Sequence, residues 1–136
     1  MRQLLLSLLT ATVLSACTSG ENTVELYDPC VVAGQCIVFG PPDAMEARAL
    51  CQAAESDDGF TITEGNFCTY PCDFDEDCLP GRNGQQGICD VPPVPPGEPA
   101  NRVCLETCVS FADCPPFFDC FDVSFADGVA SVCLPG

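Results

Sequence analysis

The chain has 136 residues, room for one ordinary domain or a short row of small ones. Twenty Asp and Glu stand against four Arg, with neither Lys nor His, for a formal net charge of −16. Such a chain repels phosphate backbones and anionic headgroups, which argues against nucleic acid and peripheral lipid as partners; the lack of His removes the commonest general base and the commonest neutral metal ligand.

Met1 and Arg2 form a short positive start, and Leu4 to Val13 is an apolar run interrupted only by Ser7, Thr10 and Thr12. The run is too short to span a bilayer and fits the apolar region of a signal peptide. It closes on Leu14-Ser15-Ala16-Cys17, which resembles the lipobox of bacterial prolipoproteins. The resemblance covers residues 1–17. It implies a lipoprotein signal peptide at 1–16, acylation of Cys17, and a mature chain held to the membrane through that residue. Thr18 follows the cysteine in place of Asp, so the inner-membrane retention signal of Gram-negative lipoproteins is missing and the expected location is the bacterial cell envelope, at the outer membrane. Acylation also accounts for the odd number of cysteines, since thirteen less Cys17 leaves twelve, in a segment sent to a compartment where disulfides persist. Loss of Arg2 leaves three Arg against twenty acids, or −17, so the membrane would be held by lipid alone. Residues 17–29 read as the lipidated N-terminus and a tether, though the alternation of Val24-Glu25-Leu26-Tyr27 suits a short docked edge strand.

The remaining twelve cysteines fall into fours under one rule, a five-residue gap after the first and three residues between modules. Cys30, Cys36, Cys51 and Cys68 make the first module (30–68). Cys72, Cys78, Cys89 and Cys104 make the second (72–104). Cys108, Cys114, Cys120 and Cys133 make the third (108–133). The starts at 30, 72 and 108 lie 42 and 36 residues apart, the kind of period that marks a repeat. The fold class is therefore a small disulfide-rich protein of three tandem four-cysteine modules, mostly short β-hairpins and loops. Each five-residue gap is expected to be a turn, with Asp75, Asp77 and Asp113 suited to capping its backbone. Each gap between third and fourth cysteine is expected to be a hairpin. In the third module Phe121 to Phe125 alternates, Ala126-Asp127-Gly128 turns, and Val129 to Leu134 returns. In the first, Phe60 to Thr63 and Asn66 to Tyr70 flank Glu64-Gly65, while in the second the proline-rich run Val91 to Pro99 cannot donate to a ladder. One helix is expected near 43–54, where Asp43 and Glu46 form a capping-box pattern ahead of helix-forming residues.

Units this small cannot bury enough apolar area to offset roughly 1.5 kcal/mol of ordering entropy per residue, and a bridge closing about 15 residues contributes about 3 kcal/mol. Four cysteines allow three pairings and the spacing alone does not choose among them. Pairing first to third and second to fourth is the expectation, because it clamps both turn and hairpin. The spacing C-x5-C-x5-C with a distant fourth cysteine, and Asp before the second, resembles the Dickkopf N-terminal cysteine-rich pattern, fully over Cys68 to Cys133 and partly over Cys30 to Cys68, where Gln35 replaces the Asp. The resemblance implies an exported binding scaffold and carries no catalytic residues.

No Cys pair has the two-residue spacing of thiolate metal sites, which argues against zinc, an iron–sulfur cluster and a redox dithiol; a thiol-based redox or metal-binding envelope protein is the alternative reading of a different class, and no cofactor is expected. Asp73, Asp75, Glu76 and Asp77 are the one weak calcium candidate, without the EF-hand spacing or its glycine; Asp57-Asp58-Gly59 is a turn signal. Five of the nine Phe lie between 111 and 125. Of these, Phe117, Phe118, Phe121 and Phe125 are the candidate partner-binding residues, since a small stapled module has little interior to hide them. The expectation is a non-enzymatic, lipid-anchored scaffold with a protein or glycan partner.

Overall fold

A computed structural model describes residues 24–36 and 49–136; the signal peptide, Cys17 and most of the tether lie outside the described residues, as does 43–48 of the expected helix. Among the described residues six strands pair into three antiparallel hairpins: β1 (Leu50–Asp57) with β2 (Ile62–Thr69), β3 (Ile88–Asp90) with β4 (Val103–Leu105), and β5 (Phe118–Phe125) with β6 (Gly128–Pro135). One hairpin belongs to each module, between its third and fourth cysteines.

The modules repeat in detail. Third and fourth cysteines face each other across each hairpin, as Cys51 with Cys68, Cys89 with Cys104 and Cys120 with Cys133, yet they are not bonded to one another. The disulfides run first to third and second to fourth throughout: Cys30–Cys51 and Cys36–Cys68, Cys72–Cys89 and Cys78–Cys104, Cys108–Cys120 and Cys114–Cys133. The residue before the first cysteine bridges the residue before the fourth in every module, pairing Pro29 with Phe67, Pro71 with Val103 and Thr107 with Val132. Each two-stranded hairpin is thus flanked by an isolated antiparallel bridge from the incoming chain. Each five-residue gap is a turn holding three residues of 3-10 helix, Ala33–Gln35, Asp75–Asp77 and Phe111–Asp113. The Asp77 carboxylate accepts the N–H groups of Asp73 and Phe74, and that of Asp113 accepts those of Val109 and Ser110. Gln35 accepts from Val31 and Val32 in the same way with an amide oxygen, so the replacement of Asp leaves the turn intact.

Two expectations are corrected. Residues 50–54 are strand and not helix: β1 is paired along all eight residues with β2, and its buried residues alternate as Gln52, Ala54 and Ser56. Cross-strand pairing and the Cys30–Cys51 bridge override a helix-favouring composition whose per-residue preferences are only tenths of a kcal/mol. The first hairpin also turns earlier than Glu64-Gly65, at residues 58–61. There Asp58 accepts the N–H groups of Phe60 and Thr61, Asp57 accepts that of Gly59, and Gly59 takes a φ of 85°, as an Asx turn requires. Gly65 sits inside β2 because a Cβ there would lie 2.9 Å from the Pro135 ring of the third module.

That contact reflects how the modules associate. A single apolar cluster takes Ala54 and Phe67 from the first module, Val103 and Leu105 from the second, and Phe118, Val132 and Leu134 from the third. Phe67 and Phe118 meet edge to face with centroids 6.4 Å apart. The Ser56 hydroxyl donates to the Pro135 carbonyl, and Thr69 Oγ1 donates to the Cys104 carbonyl at 2.6 Å. The proline-rich run of the second module, free of strand as expected, lies against β1, where its Pro93 carbonyl accepts the Glu55 N–H at 2.8 Å. Three stapled units contribute to this one interior, and the third module packs on the first.

The segment from Val24 is docked. Its N–H reaches the Gln35 carbonyl at 2.7 Å, and Tyr27 N–H reaches the Cys68 carbonyl at 2.7 Å. The Tyr27 ring enters a second cluster with Tyr70, Cys72, Cys78, Cys89 and Cys104, and its hydroxyl donates to the Leu79 carbonyl at 2.8 Å. Burial next to Tyr70 and Glu106 pushes the Tyr27 phenol far above its ordinary range, so it stays a neutral donor.

Candidate functional site

An open groove of about 530 Å³ lies between the first and third modules. The first module contributes the tip of its hairpin, with Asp58, Thr61 and Thr63. The third contributes the five-residue turn with Val109 and Phe111, and β5 with Asp119, Phe121 and Asp122. Pairing with β6 holds β5, which carries the last three, in place at the groove, and the Cys114–Cys133 and Cys108–Cys120 bridges fix the turn that carries Phe111. Phe111 is 73% exposed, whereas Phe121 is half-buried against the shared core.

Three carboxylates and no Lys or Arg line this groove. Backbone N–H groups of Thr61 and Phe60 hold the Asp58 carboxyl below the ordinary carboxylate range, and Asp122 accepts a 2.5 Å hydrogen bond from the Ser131 hydroxyl. Arg82 pairs with Asp28, and Arg102 donates through Nε to the Cys89 carbonyl at 3.2 Å; neither lines the groove. The lining therefore offers negative charge, hydroxyl groups and two apolar rings, a combination suited to cationic or hydroxyl-rich ligands with an apolar face.

The four candidate Phe separate. Phe118 is 7% exposed and belongs to the core, which corrects its assignment to a binding face: the first module supplies the interior that one small module lacks. Phe125 is half-buried and packs on the same core. Phe121 combines core packing with a place in the groove. Phe117 is 86% exposed with a positive φ of 68°, outside the groove lining. Among the calcium candidates, Asp75 accepts the Cys89 N–H at 2.7 Å and Asp77 accepts two N–H groups of its own turn, so both are already committed to the backbone; Asp73 and Glu76 are exposed.

In each module three sulfurs lie within 4.8 Å of one another, those of Cys30, Cys36 and Cys68, of Cys72, Cys78 and Cys104, and of Cys108, Cys114 and Cys133. All nine belong to the disulfides already described, and only reduction to thiolates would make them ligands. Sequence reasoning missed Asp58, Asp119, Asp122 and Phe111 as one surface. Asp58 was visible only as a turn residue, and nothing in the spacing brings the first hairpin tip to β5.

Fold and site together define a three-module disulfide-rich protein with an acidic, aromatic-walled groove. No protein-family model, curated protein or solved structure matches the chain, and its functional reading rests on the residues themselves.

Proposed function

We propose that this protein is a non-enzymatic binding scaffold of the bacterial cell envelope, anchored by acylated Cys17 at the outer membrane, which presents the groove between its first and third modules to a protein or glycan partner. The observation that carries the reading is the groove itself, where Asp58, Asp119 and Asp122 surround Phe111 and Phe121 with no cation among the lining residues. Six disulfides hold the two walls with little left to order on binding, which lowers the entropic cost of association. The lipobox-like Leu14 to Cys17 and the Dickkopf-like cysteine spacing support export and a binding role.

Two measurements test it. The intact mass of the membrane-extracted protein, alkylated with and without reduction, should show an acylated chain starting at Cys17, no label before reduction and twelve after; several thiols labelled without reduction would reopen the redox or metal reading. A glycan array and a panel of envelope proteins should then yield a ligand whose binding falls about ten-fold or more in Phe111→Ser and Asp119→Asn, in line with the loss of a central anchor. Retained binding in both variants would remove the groove from the account.

A further inference from the structure

A second concavity, away from the groove, lies where the docked N-terminal segment meets the second module. It encloses about 250 Å³, with apolar walls from Leu26, Tyr27, Leu79 and Pro80. Glu106 closes it from the junction between the second and third modules, and Glu25 stands exposed beside it.

Glu106 is 2% exposed. Its Oε1 accepts the Arg82 N–H at 2.6 Å, and its Oε2 has no hydrogen-bond partner among the described residues. Its side chain lies across Gly81, where a Cβ would approach its Cγ to 2.6 Å, so the backbone has been kept bare to admit it. The Arg82 guanidinium is held by Asp28. A buried carboxylate oxygen without a donor is costly, and such a group ordinarily finds a partner. The fold itself does not need an acid at this position: the equivalent residue of the preceding junction, two before the first cysteine of its module, is Tyr70, which is buried with its hydroxyl both donating to the Asp77 carbonyl and accepting the Leu79 N–H.

We infer that this pocket binds a primary alkylammonium group, as carried by a lysine side chain or a free alkyl amine, with the methylene chain between Leu26, Tyr27, Leu79 and Pro80 and the ammonium on Glu106. An ammonium brings three donors, one for the orphaned Oε2. The Leu79 carbonyl accepts the Tyr27 hydroxyl and, with two lone pairs, has one to offer a second donor. Apolar walls ending in a carboxylate select against alcohols, which lack the charge, and against quaternary ammonium groups, which lack the donors. Glu25, Asp28 and Glu106 outweigh Arg82 around the pocket, so the local field also favours a cation.

The experiment is a titration of the oxidised protein with n-butylammonium chloride, followed by amide chemical shifts, with n-butanol, tetramethylammonium and sodium chloride at matched ionic strength as comparisons. Saturable shifts of Leu26, Gly81, Arg82 and Glu106 with the amine alone are expected, weakened about ten-fold or more in Glu106→Gln, which keeps an acceptor for the Arg82 N–H. Equal response to butanol or sodium chloride, or undiminished binding to Glu106→Gln, overturns the proposal. If Glu106→Gln fails to form its disulfides, the comparison of amine with alcohol on the wild-type protein decides by itself. A lysine derivative capped at both backbone ends identifies the source: tighter binding than n-butylammonium points to a peptide, weaker binding to a free amine. Since none of these residues lines the groove, failure here leaves the proposed scaffold role untouched.

Discussion

Replacing Phe118 by Ala tests whether the three modules share one interior. A Phe side chain removes about 150–250 Å² from water, worth roughly 4–6 kcal/mol at about 25 cal/mol per Å². Alanine keeps part of this, and Phe-to-Ala losses in cores run about 3–5 kcal/mol. The six bridges persist in the denatured chain and keep it compact, which lowers the area exposed on unfolding and places the expected loss near the bottom of that range, about 3 kcal/mol. The ring also meets Phe67 edge to face across the boundary between the first and third modules, so Phe67→Ala and Phe118→Ala should couple by about 0.5–1.5 kcal/mol. Guanidinium unfolding of the oxidised wild type, both single variants and the double variant closes the cycle, with Phe117→Ala, one residue away and exposed, as a control changing by no more than about 0.5 kcal/mol. A Phe118→Ala loss below about 1 kcal/mol, or additivity of the two core variants within about 0.5 kcal/mol, would mean that the modules are stable separately.

Four further outcomes are expected. Removing Cys36–Cys68 by paired serine substitutions should cost about 3.7 kcal/mol and removing Cys108–Cys120 about 2.8 kcal/mol, since loop entropy grows with the logarithm of loop length and the sequence separations are 32 and 12; denaturant midpoints in the reverse order would reject the entropic ranking. Gly87→Ala would set a Cβ 2.6 Å from the Tyr27 hydroxyl and 3.0 Å from the Leu105 carbonyl, so a loss of about 1–3 kcal/mol and exposure of Tyr27, read by its ultraviolet absorbance, should follow. Asp113 is held below the ordinary carboxylate range by the N–H groups of Val109 and Ser110. Its stabilising contribution is present above that range and lost as pH falls through its folded value, so Asp113→Asn should flatten the acid limb of a stability–pH profile. Glu106 behaves oppositely: burial raises its carboxyl, so its favourable contribution is full below the ordinary carboxylate range and lost as pH rises through the folded value. Glu106→Gln should therefore gain on the wild type between acid and neutral pH, and parallel profiles would show that the carboxyl is solvated.

The repeat was legible because cysteines carry their geometry in their spacing. Equal five-residue gaps became equal turns, and the hairpin between Phe121 and Leu134 formed where alternation and Gly128 placed it, with Gly128 at a φ of 139°. Gln35 read as a departure from Asp77 and Asp113 because residue type was visible and function was not; an amide oxygen one methylene further out caps the same turn. Leu50 to Ala54 read as helix because Ala and Gln favour one locally, while the partner strand that decides the matter begins at Ile62 and announces itself only weakly. Association of the modules was not legible at all. Phe118 and Phe121 stand three positions apart in one strand, and it is the arrival of Phe67 against Phe118 that makes that ring core, while Phe121 keeps a place on the groove. Glu106 gave no signal beyond being an acid at the junction position that Tyr70 occupies one repeat earlier.

The facing of third and fourth cysteines across every hairpin bears on how the chain reaches its oxidised form. A hairpin closes in microseconds, long before a disulfide forms, and cross-strand neighbours lie about 4.5–5.5 Å apart between Cα atoms, within the range a bridge can span. Cys51 with Cys68, Cys89 with Cys104 and Cys120 with Cys133 are therefore the pairs most easily oxidised first, and all three are wrong. Such isomers would reach the native pairing by thiol–disulfide exchange, and the sulfur of each module's first cysteine, within 4.8 Å of those of the second and fourth in the folded protein, is placed to take part. Oxidation of the reduced protein without a catalyst of disulfide rearrangement should therefore accumulate the three hairpin-spanning isomers, separable by mass mapping, and direct formation of the native pairs would refute this order of events.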